Sequence, residues 1–155
     1  MMTEALTNYQ LDHILRGSKV THTKYIGSFP SCFKIKSDKK FYAFISNTDE
    51  HDEHGEHWCA WVVKGDGICF FDSFGRSPDD KTLPSHFKDF LSEFKSIRYT
   101  SKRVQGWKSK ACGLFCIHFI YVLCLGLKYE DFLNEYTTNH SRNDSIVIDF
   151  VDSII

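Results

Sequence analysis

Ala111-Cys112-Gly113-Leu114-Phe115-Cys116-Ile117-His118-Phe119-Ile120-Tyr121-Val122-Leu123-Cys124-Leu125-Gly126-Leu127 is the stretch that decides the fold. Apolar residues cover nearly every face of the helix it would form, so that helix belongs at the centre of the protein, with Gly126 as a stop signal. His118 interrupts the run, which falls short of the ~20 apolar residues a bilayer span requires. Outward from this helix, residues 41–46 are aromatic and β-branched, as a strand should be. Residues 58–63 and 68–72 are two more strand candidates around Lys64-Gly65-Asp66-Gly67, and they predict a hairpin. The architecture is therefore α+β, an antiparallel sheet packed against a central buried helix.

The remaining segments fill in that frame. Thr7 and Gln10 form a capping box, Leu6 staples to Leu11, and Gly17 ends the helix they start. Leu83, Phe87, Phe90, Leu91 and Phe94 recur at spacings of three and four, which predicts an amphipathic helix over 83–94. Residues 96–105 alternate loosely as a strand would. Residues 129–136 and 144–155 read as shorter terminal helices, the last against the β-branched Ile146-Val147-Ile148. With 155 residues and 42% apolar content, a single domain over 1–155 with its own core is expected. A net charge of -1 removes the simplest argument for a nucleic-acid partner, a large basic excess. Residues 1–9 carry Glu4 and no apolar run, so no signal peptide is expected, and the six cysteines are read as free thiols in a reducing, intracellular setting.

One cysteine is set apart by position. Cys112 follows the polar Lys108-Ser109-Lys110 and opens the central helix, near the free N–H groups that stabilise a thiolate. A single intracellular cysteine is by default a small buried hydrophobe, and Cys116, one turn on, fits that description. The hairpin tests whether His57 and Asp72 can meet. A Gly65-Asp66 loop pairs Lys64 with Gly67 and sets Asp72 opposite Cys59, two residues from His57 on the same face. The diagonal is then roughly 7–8 Å between backbones, within reach of a His–Asp hydrogen bond. An Asp66-Gly67 loop instead sets Asp72 opposite Trp61 and keeps the pair apart. Turn chemistry allows both.

His51, His54 and His57 alternate with Asp52, Glu53 and Glu56, a spacing that invites a metal reading. The order is not His-Glu-x-x-His and no Cys-x-x-Cys accompanies it, so no metal is expected, and His51 and His54 read as a solvated acidic loop. Asp72 alone could be a turn residue and Gln105 alone a surface amide.

Taken in chain order, His57-Trp58-Cys59-Ala60-Trp61, Phe71-Asp72-Ser73-Phe74-Gly75, Val104-Gln105-Gly106 and Ala111-Cys112-Gly113-Leu114-Phe115-Cys116 resemble the adenovirus endopeptidase (adenain) family of cysteine proteases, with related proteases in Maverick/Polinton elements and other DNA viruses. Tyr25-Ile26-Gly27-Ser28-Phe29 and residues 43–47 extend the resemblance over roughly residues 25–125. It implies the fold shared with SUMO-removing proteases, with Cys112 as nucleophile, His57 as general base, Asp72 where adenain has Glu, Gln105 as oxyanion donor and Trp58 narrowing the cleft for glycine. It further implies maturation of viral precursor polypeptides at glycine-rich sites, in the host nucleus and the virion, by a monomer without membrane contact. The chain stops soon after the last helix, so the family's longer C-terminal portion is absent or replaced by residues 129–155.

Two departures bear on cofactors. The family's disulfide-linked viral peptide would need a cysteine upstream of Gln105, and none lies between Cys69 and Cys112, so no such cofactor is expected. Lys95, Arg98, Lys102 and Arg103 form a local basic run, from which at most weak, salt-sensitive stimulation by DNA is expected. The alternatives are a deconjugating protease for ubiquitin-like proteins and a catalytically silent binding module of the same fold.

Overall fold

In the computed structural model, which describes residues 5–48 and 57–155, the elements run α1 (Asn8–Gly17), β1 (Tyr25–Phe29), β2 (Phe41–Asn47), β3 (Trp58–Lys64), β4 (Gly67–Phe71), α2 (Ser85–Leu91), β5 (Ser96–Arg98), α3 (Cys112–Cys124), α4 (Tyr129–Leu133) and α5 (His140–Ile154). All of α3 except Tyr121 is buried, as its apolar surface requires. The strands form one sheet in the order β1-β2-β3-β4-β5. Its three central strands are antiparallel, as expected, but β1 joins β2 and β5 joins β4 in parallel. Parallel neighbours need a crossover, and residues 30–40 supply one and the α2 region the other.

Both faces of the sheet are covered, which is why β3 is buried along nearly its whole length. Trp58, Ala60 and Val62 face the core built on α3, together with α1, α4 and α5. Cys59, Trp61 and Val63 face a second core around Phe33 and the α2 residues Phe87, Phe90 and Leu91. Trp61 lies at its centre, stacked 5.6 Å from Phe44 and 4.9 Å edge-on from Phe87.

Local signals succeeded where they were local. The capping box forms, with Thr7 Oγ1 accepting from Gln10 N at 3.2 Å and Gln10 Oε1 accepting from Thr7 N at 2.9 Å. α2 is shorter than its apolar spacing suggested: Pro84 precedes its first turn, and after Leu91 the chain tightens into turns. The strand expected over 96–105 stops at Arg98. Beyond it the chain leaves the sheet and crosses Gly75, whose φ is +75°. A Cβ there would lie 2.7–2.8 Å from backbone atoms of residues 101–103, so only glycine permits the crossing. α5 forms despite its β-branched residues. Asn139 caps it through Arg142 N, and Val147 and Val151, one turn apart, are buried against the α3 core. Tertiary packing outweighs the small helix penalty of β-branching.

Candidate active site

The β3–β4 hairpin decides whether a site exists. Lys64 pairs with Gly67 and Ala60 with Phe71, so the loop is Gly65-Asp66 and the first of the two registers is the one adopted. Gly65 has φ +59° and Asp66 does not take a positive φ, the pattern of a two-residue turn with glycine at its first position. Asp72, just past β4, therefore comes opposite Cys59, one diagonal step from His57. His57 precedes β3, where its carbonyl accepts Thr48 N at 3.0 Å and continues the β2–β3 ladder. The result is a buried contact of 2.5 Å between His57 Nε2 and Asp72 Oδ1.

Asp72 is held from four directions. Oδ1 also accepts Phe74 N at 3.1 Å, and Oδ2 accepts Arg76 Nε at 2.6 Å and Arg76 N at 3.4 Å. Burial opposes its charge, but the His57 hydrogen bond and the Arg76 guanidinium keep its pKa below the usual carboxylate value. Arg76 escaped the sequence reading, although an arginine four residues after a buried aspartate was there to be noticed.

Cys112 is the first residue of α3 and is buried beside His57, to which it is hydrogen-bonded. Burial by itself would lower the imidazole pKa, yet the bonds to Asp72 and Cys112 raise it to about 9. The thiols of Cys59 and Cys116 are fully buried and pushed well above their ordinary value by burial, and that of Cys124 is pushed up to about 11. Cys116 Sγ donates to Trp58 O at 3.3 Å, a structural role.

Gln105 is fully buried and its carboxamide is oriented by its partners. Ser73 Oγ donates to Oε1, while Nε2 donates to Ser109 O at 2.9 Å and approaches Ser109 Oγ at 3.3 Å. Ser73 O also accepts Val104 N at 3.0 Å and Gln105 N at 3.1 Å. Ser109 Oγ accepts Ala111 N at 3.1 Å, one residue before Cys112. Gln105 is thus tied on one side to the turn that carries Asp72 and on the other to the start of α3.

Trp58 lies where the hairpin places it, but it is only 4% exposed and its Nε1 donates to Leu6 O at 3.0 Å. The open aromatic beside the site is Trp107, 65% exposed, which the sequence reading passed over. It sits 4.9 Å from Phe74, which in turn stacks on His57, and the Arg103 guanidinium lies 4.4 Å from its ring centre. No short motif signals such a ladder, because its rings come from three separate segments.

His57, Cys59 and Asp72 offer ligand atoms within 4.8 Å of one another. They do not form a metal cage as they stand. Two ligands of one tetrahedral zinc lie about 3.3 Å apart, and the His57–Asp72 contact is a hydrogen bond at 2.5 Å. His51 and His54 lie outside the described residues.

No family model matches the chain, and no curated protein matches its sequence. Solved structures do. The pS273R protease of ASFV aligns with a TM-score of 0.64 at 18% identity, over 94% of this chain and 67% of that one. The central domain of the uncharacterized Lpg1148 protein of Legionella pneumophila aligns at 0.58 and 10% identity, over 97% and 98%. ChlaDub1 of Chlamydia trachomatis aligns at 0.56 and 15% identity, over 74% of this chain and 59% of that one. At such identities the likeness is one of fold: the chain adopts the α+β architecture of these structures, a viral protease among them.

Proposed function

We propose that this chain is a cysteine endopeptidase with Cys112 as nucleophile, His57 as base, Asp72 as the residue that orients the base and Gln105 as oxyanion donor. The observation that carries the reading is one imidazole bonded at once to a buried carboxylate and to a cysteine at a helix start. His57 takes the Cys112 proton and the thiolate adds to the peptide carbonyl. The tetrahedral oxygen is held by Cys112 N–H and by Gln105 Nε2, which trades its long approach to Ser109 Oγ for the oxyanion. His57 returns the proton to the leaving amine, and a water activated by the same imidazole releases the acyl group from sulfur. Asp72 holds the ring and stabilises its charge throughout.

Trp107, exposed at the outer end of the stack it forms through Phe74 with His57, is the wall we assign to the residues after the scissile bond. Trp58 shapes the cleft from within the core. The substrates are viral precursor polypeptides cut at glycine-rich sites, as the motif resemblance implies and the fold shared with a viral protease supports. The protein acts as a monomer in host nucleus and virion and needs no peptide cofactor. DNA stimulates it weakly. Of the basic run, Arg98 is paired with Glu130 and Arg103 packs on Trp107, while Lys95 stands 4.0 Å from Asp66. Lys95, 86% exposed, and the exposed Lys102 are left for phosphate.

The test is an assay of the purified chain in strong reductant with glycine-containing peptides, ubiquitin-like fusions, candidate viral peptides, and DNA at two salt concentrations. Peptide cleavage lost in Cys112→Ala is the expected result. Cleavage of the fusions alone would make it a deconjugating protease. Activation that needs a mixed disulfide would reinstate a peptide cofactor, and cleavage of neither substrate class would leave a binding module.

A further inference from the structure

Arg76 touches both of the groups that hold the imidazole. Its Nε donates to Asp72 Oδ2 at 2.6 Å, and its backbone N–H approaches the same oxygen at 3.4 Å. Its guanidinium lies 5.6 Å from the centre of the Phe74 ring, which stacks on His57. The far end is anchored as well: Nη1 donates to Thr82 Oγ1 at 3.3 Å, and that hydroxyl gives its own proton to Asp80 Oδ1 at 2.6 Å. The Asp72 carboxylate is buried, so an oxygen left without a donor there is costly. With Oδ2 occupied by Arg76, Oδ1 is the oxygen that meets His57 Nε2 and Phe74 N. Imidazole, carboxylate and guanidinium thus lie in a row, joined by contacts of 2.5 and 2.6 Å.

We propose that Arg76 is a positioning residue for the reaction: it pins Asp72 Oδ2 so that Oδ1 faces the imidazole, and it divides the charge of that carboxylate between two cations. This rests on the reading of His57 as the base and Asp72 as the residue that orients it. A carboxylate that answers one cation holds that cation's charge hardest, and one divided between two lets the imidazolium release its proton more readily. Arg76 therefore acts on base strength as well as on alignment. The other ionisable groups around the pair leave that balance to it. The thiols of Cys59 and Cys116 and the Tyr129 hydroxyl stay protonated, because burial pushes their pKa values well up. Cys112 acts on His57 from the start of α3, and the Asp80 carboxylate is engaged by Thr82 N at 2.8 Å and Thr82 Oγ1 at 2.6 Å.

The experiment compares Arg76→Gln, which removes the charge, with Arg76→Lys, which keeps the charge and loses the fork. General acid–base catalysis is worth roughly 10²–10⁴ in rate, so a misaligned and mistuned base is expected to lower kcat about tenfold in Arg76→Gln, with KM within about twofold. Arg76→Lys is expected to return to within about threefold of wild type. The alkaline limb of kcat is expected to rise by about one pH unit in Arg76→Gln and to stay in place in Arg76→Lys. A residue that only kept the turn folded would give the opposite sign, since an Asp72 that drifts from His57 lowers the limb. A limb unchanged or lowered in Arg76→Gln, or wild-type kcat there, would overturn the proposal. Arg76→Met keeps the stem over Phe74 and repeats the test if Arg76→Gln is unstable. A second readout needs no substrate. The His57 ring resonances, identified by their loss in His57→Gln, are expected to titrate near pH 9 in the wild type and about one unit higher in Arg76→Gln. If the wild type cleaves nothing, the functional reading fails while this titration still tests the charge pairing, and a midpoint at or below the wild-type value would reject it.

Discussion

Phe74 lies flat against His57, with ring centroids 4.3 Å apart and planes 12° from parallel, and its backbone N–H bonds the same Asp72 oxygen that His57 contacts. One residue therefore fixes both the plane of the imidazole and the position of its carboxylate. Trp107 extends the stack to solvent. Trp107→Ala is expected to raise KM about fivefold, roughly 1 kcal/mol, for peptides extended past the scissile bond, with kcat little changed. Substrates that end in a small chromogenic leaving group serve as the control. Equal effects on both would show that Trp107 supports the fold and does not contact substrate.

The thiols should separate chemically. Thiol-directed inhibitors are expected to label Cys112, and Cys112→Ala should abolish peptidase activity with the fold intact. Cys116→Ala removes a fully buried sulfur and its bond to Trp58 O, and is expected to cost about 1–2 kcal/mol of stability with the active site preserved. Mass spectrometry that found Cys59 or Cys116 labelled first in the native protein would refute this assignment.

Asp72→Asn is expected to lower turnover strongly while leaving substrate binding nearly unchanged. It should also move a pH limb. His57 loses its proton near pH 9, so activity that requires an imidazolium to protonate the leaving amine declines through about pH 9. Without the Asp72 charge and hydrogen bond that limb shifts to lower pH. A kcat profile with the same alkaline limb in both proteins would remove Asp72 from this role.

Gln105→Ala should cost roughly 10²–10³ in turnover, the usual effect of losing an oxyanion donor. Because Ser73 Oγ and Ser109 would lose their partner inside the protein, a drop in stability is expected as well. Gln105→Glu keeps the acceptor for Ser73 and loses the donor, so it separates the two effects. Wild-type turnover in either variant would end the oxyanion assignment.

His118 sets the acid side of the stability profile. It is buried in α3, with Nδ1 2.5 Å from the Tyr136 hydroxyl and Nε2 2.8 Å from Glu135 Oε2, and burial lowers its pKa to about 4. The neutral ring accepts from Tyr136 and donates to Glu135. Its contribution is complete above its unfolded pKa of 6.5 and is lost as pH falls through about 4. His57 has the opposite sign: its contribution is complete below 6.5 and is lost as pH rises through about 9. Denaturant midpoints measured across pH are expected to fall on both sides of neutrality. His118→Leu should flatten the acid side relative to its own lower maximum, and an unchanged acid slope would contradict the neutral buried ring.

Local pattern alone established that α3 is central, that α1 begins at a capping box, that residues 58–72 form a hairpin and that Cys112 opens a helix, because apolar spacing, capping and turn glycines act over a few residues. It also narrowed the hairpin to two registers. Only the folded chain chose between them, through the positive φ of Gly65, and the choice brings Asp72 to His57. A strand was legible at β5, but the parallel pairing of β1 and β5 was not, since their partners are reached through crossovers. The partners of Gln105 were invisible for the same reason: Ser73 is 32 residues away, and Asn143, which holds Val104, is 39. A hydrogen bond between such distant residues depends on how helices and sheet dock, and that is settled by burying two cores on opposite faces of one sheet.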